Sequence, residues 1–191
     1  MISYDLDFPL AKKELNYDNF LTPKISARFS PNDSKSLKNE DRSLNINNIF
    51  SLNRIGFAET IEGGASLTIG IDYEKKDKEN NDFFSSKIAT VYRDEANEDL
   101  PLSTTLGEKQ SDFVGEVLFS PNQILKFDYN YSMDSSLDEI NLHQFKNIFK
   151  VNNFVNTFTF YEENNLVGDK SYYENEFKYN LNENNSLSFK T

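Results

Sequence analysis

Leu125-Lys126-Phe127-Asp128-Tyr129-Asn130-Tyr131-Ser132-Met133 alternates without a break. Leu125, Phe127, Tyr129, Tyr131 and Met133 fall on one face, and Lys126, Asp128, Asn130 and Ser132 on the other. A helical stripe recurs every three or four residues, so no helix buries this pattern. A strand with one apolar and one wet face does. Working outward, the same period recurs along the chain. Ile25, Ala27 and Phe29 oppose Ser26, Arg28 and Ser30. Leu67, Ile69, Ile71 and Tyr73 oppose Thr68, Gly70 and Asp72. Phe84, Ile88 and Tyr92 share a face opposite Lys87 and Arg93, and Phe113, Val117 and Phe119 lie opposite Glu116. Downstream, His143, Phe145, Phe149 and Val151 oppose Lys146 and Lys150. Phe154, Phe158 and Phe160 oppose Thr157 and Thr159. Tyr173, Phe177, Tyr179 and Leu181 oppose Glu174, Glu176 and Lys178, and Leu187 and Phe189 open a last strand. The expected fold is all-β, roughly nine strands in an antiparallel meander.

Turn-forming clusters separate these runs. Ser120-Pro121-Asn122-Gln123, Val151-Asn152-Asn153-Phe154 and Asn182-Glu183-Asn184-Asn185 are short. Asp94 to Gln110, Asp134 to Glu139 and Glu162 to Lys170 are longer. Short and long connections therefore alternate. A soluble sandwich would bury the apolar face between two sheets. An outer-membrane barrel turns that face to lipid and the polar face to a wet lumen, with short turns at one end and long loops at the other. The long runs and alternating loops favour the barrel, with the sandwich as the competing architecture.

Composition narrows the function. Aromatic residues make up 14% of the chain, 17 Phe and 10 Tyr, which is unlike disorder. Mean hydropathy is nonetheless −0.66, as expected of strands that are half wet. With 31 acidic and 20 basic residues the net charge is −11, which argues against nucleic-acid binding. The chain has no cysteine, so disulfides, thiolate metal sites and a cysteine nucleophile are excluded. Its one histidine, His143, is read as a strand residue and cannot build a multi-histidine metal site. There is no Gly-rich phosphate loop, HExxH or GxSxG, so no catalytic set and no cofactor is expected. Acidic pairs at Asp94-Glu95, Glu98-Asp99 and Glu162-Glu163 are read as solvated loop charge, with a divalent-cation site as the weaker alternative. Met1 to Leu10 lacks the n-region, h-region and cleavage site of a signal peptide. No apolar stretch approaches the ~18 residues of a transmembrane helix.

Two segments carry a resemblance. The first is Phe8-Pro9-Leu10 followed by Leu21-Thr22-Pro23-Lys24-Ile25-Ser26-Ala27-Arg28-Phe29-Ser30-Pro31-Asn32-Asp33. The second is Asn48-Ile49-Phe50-Ser51-Leu52-Asn53-Arg54-Ile55-Gly56, continuing through Thr60-Ile61-Glu62-Gly63-Gly64-Ala65-Ser66-Leu67-Thr68-Ile69-Gly70. In order and spacing they resemble the barrel domain of the LPS-assembly protein LptD family, also called organic solvent tolerance proteins. The resemblance covers Ile2 to Tyr73 by motif. Asn53, Arg54, Ile61, Glu62, Leu67 and Gly70 match the family pattern. Gly56-Phe57 replaces its Ser-Gly, and Glu59-Thr60 its Asp-Arg.

The resemblance implies a piece of a transmembrane β-barrel in the outer membrane of a Gram-negative bacterium, spanning residues 1–191 as an internal fragment with both ends open. It implies lipopolysaccharide as cargo, an outer-membrane lipoprotein plug and a periplasmic bridge as partners, and no bond chemistry. The alternatives are a passive outer-membrane channel or receptor of another family, and a soluble carbohydrate-binding module. The residues singled out are the motif-loop set Asn53, Arg54, Gly56, Glu62 and Gly70, with Arg54 and Glu62 expected to pair and tie the loop down. Lys126, Asp128, Asn130, Lys146, Lys150 and Lys178 are the candidate lumen lining.

Overall fold

The structure, a computed structural model, describes residues 1–32, 34–56, 61–164, 169–182 and 184–191. Eleven strands run in chain order: β1 (Ile2–Asp7), β2 (Leu10–Lys13), β3 (Tyr17–Ser30), β4 (Gly64–Asp77), β5 (Asp82–Arg93), β6 (Phe113–Phe119), β7 (Leu125–Met133), β8 (Ile140–Val151), β9 (Phe154–Glu163), β10 (Lys170–Asn180) and β11 (Ser186–Lys190). All belong to one sheet with neighbours in sequence order, β1 and β2 both lying against β3. Every pairing is antiparallel. The meander is open, with β1 and β2 along one edge and β11 at the other.

The periodicity of the sequence had pointed to about nine strands; β1 and β2 are additional. They form one stave in a single register, Asp7 opposite Lys24 and Leu10 opposite Leu21. The break between them has a covalent cause. Phe8 N–H donates to Pro23 C=O at 3.0 Å, and Pro23 has no N–H to return the bond. The strand signal is masked there by Pro9 and Pro23.

The connections alternate as their composition implies. The short connections that follow β2, β4, β6, β8 and β10 leave from one end of the sheet. The connections that follow β3, β5, β7 and β9 leave from the other end of the sheet, which we call the loop end. The 152–153 turn is the tightest: Val151 pairs with Phe154, and Asn152 takes φ +51°, a conformation Asn tolerates.

The register fixes which side chains share a face. Leu67, Ile69, Ile71, Val117, Phe127, Phe145, Phe160 and Phe177 lie on one face; Asp72, Lys87, Glu116, Asn130 and Gln144 lie on the other. The apolar face is open: Ile69 is 40% exposed and Ile71 45%. Instead, the buried core sits over the polar face. Leu37, Leu44, Ile46, Ile49, Ile55, Leu100 and Leu106, all from the two longest loops, pack as one cluster with Ala89, Val91 and Val114 of β5 and β6. The loops are zipped together above it. Leu37 N–H donates to Asp99 C=O at 2.7 Å, and Leu102 N–H to Lys38 C=O at 3.1 Å. Ser103 Oγ accepts from Arg42 N–H at 2.9 Å and donates to Arg42 C=O at 2.7 Å. A sandwich would lay its second layer on the Leu67–Tyr73 face. Among the described residues the covering layer is on the opposite side, the arrangement of a barrel with lipid outside and folded loops within.

Candidate lumen face

The motif loop is built from short polar turns that leave a few apolar anchors pointing at the sheet. Asn45 N–H donates to Asn48 Oδ1 at 2.8 Å, Asn47 N–H to Asn45 Oδ1 at 3.0 Å, and Asn48 Nδ2 to Ser43 C=O at 2.9 Å. These side chains replace the backbone partners an irregular segment lacks. They set Ile49, which is fully buried, and Phe50 against β3 to β5. The Phe50 ring lies over Gly70, and Lys24 Nζ stands 5.7 Å from the ring centroid. Six residues on, Gly56 takes φ +77°, where a side chain is strained, and its N–H donates to Asn53 Oδ1 at 3.0 Å.

The structure brings Arg54 and Glu62 together. Arg54 Nε donates to Glu62 Oε2 at 2.6 Å while Nη2 bonds Oε1, a two-point fork. Arg54 Nη1 reaches Thr68 Oγ1 and Nη2 reaches Ser66 Oγ, both at 3.0 Å, so the loop is fixed to the wet face of β4. The guanidinium is buried. Burial pushes it down from its ordinary value, to about 9, still protonated at neutral pH.

Two further arginines join this pair, and periodicity alone did not reveal it. Arg93 Nη2 bonds Glu62 Oε1; its Nε donates to Leu106 C=O at 2.7 Å and Nη1 to Gly63 C=O at 3.2 Å. Arg28 Nη2 donates to Phe50 C=O at 2.7 Å. The alternation placed Arg28 and Arg93 on the wet face; only the register of β3, β4 and β5 makes them converge. Their donors go largely to loop carbonyls, so the cluster is a clamp that pins both long loops to the sheet.

A second anchor was also invisible in sequence. Asp112 is buried and Oδ2 accepts from Ser132 Oγ at 2.9 Å and Asn141 Nδ2 at 3.0 Å. It ties the end of the 94–112 loop to the start of β8 and the end of β7.

The six candidate lining residues share the wet face. Asp128 stands opposite Lys146, and Asn130 Nδ2 donates to Asp128 Oδ1 at 2.9 Å. Lys126, Lys146, Lys150 and Lys178 are exposed on β7, β8 and β10. They are not brought to the motif loop, which occupies β3 to β6. On that side the wet face carries its own ion pairs, Lys24 with Asp72 at 2.7 Å and Lys87 with Glu116 at 3.1 Å. The wall thus has a roofed half and an open, lysine-bearing half.

His143 lies in β8 on the apolar face, its Nδ1 2.8 Å from Tyr129 Oη. The acidic pairs at 94–95 and 98–99 are loop residues, and Asp94 Oδ1 accepts backbone N–H bonds from Ala65 and Glu95 at 3.3 and 2.9 Å. The third pair is not solvated loop charge: Glu162 and Glu163 end β9, and Glu163 is buried and accepts from Tyr161 Oη. Among the described residues no group of three or more His, Asp or Glu side chains is set to hold a metal ion. The departures from the family pattern at Phe57, Glu59 and Thr60 lie outside the described residues, as do Asp33, part of the 164–169 connection and Glu183.

A family model described as LptD, LPS transport system D, matches residues 2–188. The chain belongs to the LptD family. The match runs far past the motif-bearing segment ending at Tyr73 and takes in the lysine-bearing strands. A search of curated proteins returned no match. Membership of the LptD family assigns the chain a role in lipopolysaccharide transport at the outer membrane, in a family of transport and assembly proteins.

Proposed function

We propose that this chain forms part of the wall of an outer-membrane passage that delivers lipopolysaccharide to the outer leaflet. Residues 1–191 supply consecutive staves of a larger barrel, and staves outside the chain close it. The observation that carries this reading is the inverted burial: an open apolar face, and a polar face that holds both the loops and the lysines. Such a sheet is stable only with lipid on one side and a wet, enclosed space on the other. Lys126, Lys146, Lys150 and Lys178 line the open half of the lumen and attract the phosphates of the passing glycolipid. Asp128 and Asn130 keep that surface hydrated. Asn53, Arg54, Gly56, Glu62 and Gly70 are structural residues that hold the lid loop. The partners follow from the same reading: a lipoprotein seated in the lumen and a periplasmic bridge that loads the cargo.

Site-specific photo-crosslinking tests it. A benzophenone side chain at Lys146 or Lys150 of the full-length protein, in living cells, is expected to capture lipopolysaccharide while transport is running. The same group at Leu125, on the outer face near the short turns, is expected to capture phospholipid instead. Lumen positions that capture no lipopolysaccharide in a correctly folded barrel would overturn the proposal.

A further inference from the structure

The apolar face ends in an aromatic row at the turn end of the sheet. Tyr17 of β3 meets Phe83 of β5 with ring centroids 5.0 Å apart, and Phe83 meets Phe119 of β6 at 5.5 Å. Phe119 stacks with Phe127 of β7 at 6.3 Å, and Phe127 lies 6.0 Å from Phe145 of β8. Five rings from five strands therefore form a continuous line across the face. Phe83 reaches it by a local irregularity. The β4–β5 register shifts between Lys75 and Lys76, leaving Phe83 as the extra residue between Asp82 and Phe84. A bulge re-aims a side chain in this way. Lys75, on the same face, holds its Nζ 4.2 Å from the Tyr17 centroid and 5.3 Å from that of Phe83.

On β4 the outward residues run Leu67, Ile69, Ile71, Tyr73 and then Lys75. Leu67 to Lys75 covers about 27 Å along a strand. At a tilt of ~40° that is about 20 Å along the membrane normal, close to the ~25 Å apolar band of outer-membrane barrels. The change from aliphatic to aromatic to cationic is the order of a bilayer from core to headgroup.

Aromatic girdles at the bilayer boundary are the rule for outer-membrane barrels, and Tyr17, Phe83, Phe119 and Phe127 take that place at the turn end. We infer that Tyr17, Phe83 and Lys75, brought together by the bulge in β5, seat the phosphate of an anionic phospholipid. The rings occupy the zone between acyl chains and headgroups. The ammonium group, resting on two ring faces, presents its charge to the phosphate just beyond them. The inference rests on the membrane-spanning reading of the sheet and is independent of what the lumen carries.

The test uses the full-length barrel reconstituted in phospholipid vesicles, with folding checked by heat-dependent gel migration. Tryptophan is introduced singly as Phe119→Trp, Phe127→Trp or Ile69→Trp, and emission is read as the difference from the parent. Brominated phospholipid carries the quencher near the headgroup or near the chain end. Phe119→Trp and Phe127→Trp are expected to be quenched more strongly by the shallow bromine, and Ile69→Trp by the deep one. Deep quenching at 119 and 127, or quenching from neither depth, overturns the boundary. An Ile69→Trp that no lipid quencher reaches overturns the membrane-spanning reading itself, a distinguishable result. The headgroup seat is read with nitroxide-headgroup phosphatidylglycerol diluted into phosphatidylcholine. Its excess quenching of Phe119→Trp is expected to vanish when Lys75→Gln is added. Excess quenching that survives Lys75→Gln overturns the seat.

Discussion

Phe50 and Gly70 occupy one another's space: a Cβ built on Gly70 would sit 2.8 Å from Phe50 Cζ, and 2.9 Å from both Ala89 Cβ and Ile88 O. The two ends of the second motif-bearing segment are thereby locked face to face, the ring from the lid loop and the bare backbone from β4. Gly70→Val is expected to destabilise the barrel by about 1–3 kcal/mol through overpacking. Adding Phe50→Leu should recover part of that loss, because the clash is shared by the pair. Urea midpoints for both single variants and the double variant give the coupling directly; additive effects would show that the ring is not what reserves the glycine.

Glu62 is held by Arg54 and Arg93 together. Removing its charge leaves two buried guanidinium groups facing each other without a carboxylate. Breaking a buried pair from one side typically costs about 3–5 kcal/mol. Here the cost falls on the loops, which the clamp pins, more than on the sheet. Glu62→Gln is therefore expected to make residues 34–56 and 94–112 sensitive to added protease in intact cells and to admit large antibiotics. Equal protease resistance of Glu62→Gln and parent would show that the zipped backbone bonds hold the lid without the clamp.

Strand existence and facing were legible because one face is aromatic and the other charged, and a period of two survives any single substitution. Arg54 and Glu62 were legible as a pair because they lie close together within one loop. Arg28 and Arg93 were not: they lie on different strands, and convergence depends on the β3–β4–β5 register, which local sequence does not encode. The side of the sheet that carries the core was also hidden. Ala89, Val91 and Val114 interrupt the polar face with small apolar residues, and they make sense only once Ile49, Leu100 and Leu106 fold down on them. β1 and β2 are not legible because they are short and Pro9 interrupts the alternation between them, while the pairing carries on past it in one register.

Asp112 makes a similar point with a single carboxylate. Its Oδ2 collects both Ser132 and Asn141, so its loss leaves two buried donors without an acceptor. Asp112→Ala is expected to cost about 1–3 kcal/mol. Asp112→Asn should cost less, since its amide oxygen still accepts. Thermal midpoints compared with the parent give the order. A loss equal for both variants would place the energy in the charge and not in the acceptor.

Asp134 governs the pH response of the β7–β8 connection, outside the membrane-spanning strands. Its carboxylate accepts from Ser136 Oγ and from the backbone N–H groups of Asp138 at 2.8 Å and Glu139 at 3.1 Å. Those bonds, the Ser136 hydroxyl first, hold its pKa below the ordinary carboxylate value. They favour the charged form in the folded turn. The stabilisation is therefore fully present above the pKa of the unfolded chain, and is lost as pH falls through the lower folded value. Leu137 sits within the same turn at φ +65°, an uncommon backbone for its side chain, and the turn is also closed by backbone bonds from Asp134 N–H to Glu139 C=O at 2.9 Å and from Leu137 N–H to Asp134 C=O at 3.0 Å. Amide exchange at Asp138 and Glu139 is expected to be slow from neutral pH down to the ordinary carboxylate range, after correction for intrinsic rates. Protection should then fall on further acidification, and Asp134→Ala should remove it at every pH. Protection at Asp138 and Glu139 that ignores both acid and Asp134→Ala would mean that the turn is held by the strands it joins, with the carboxylate a bystander.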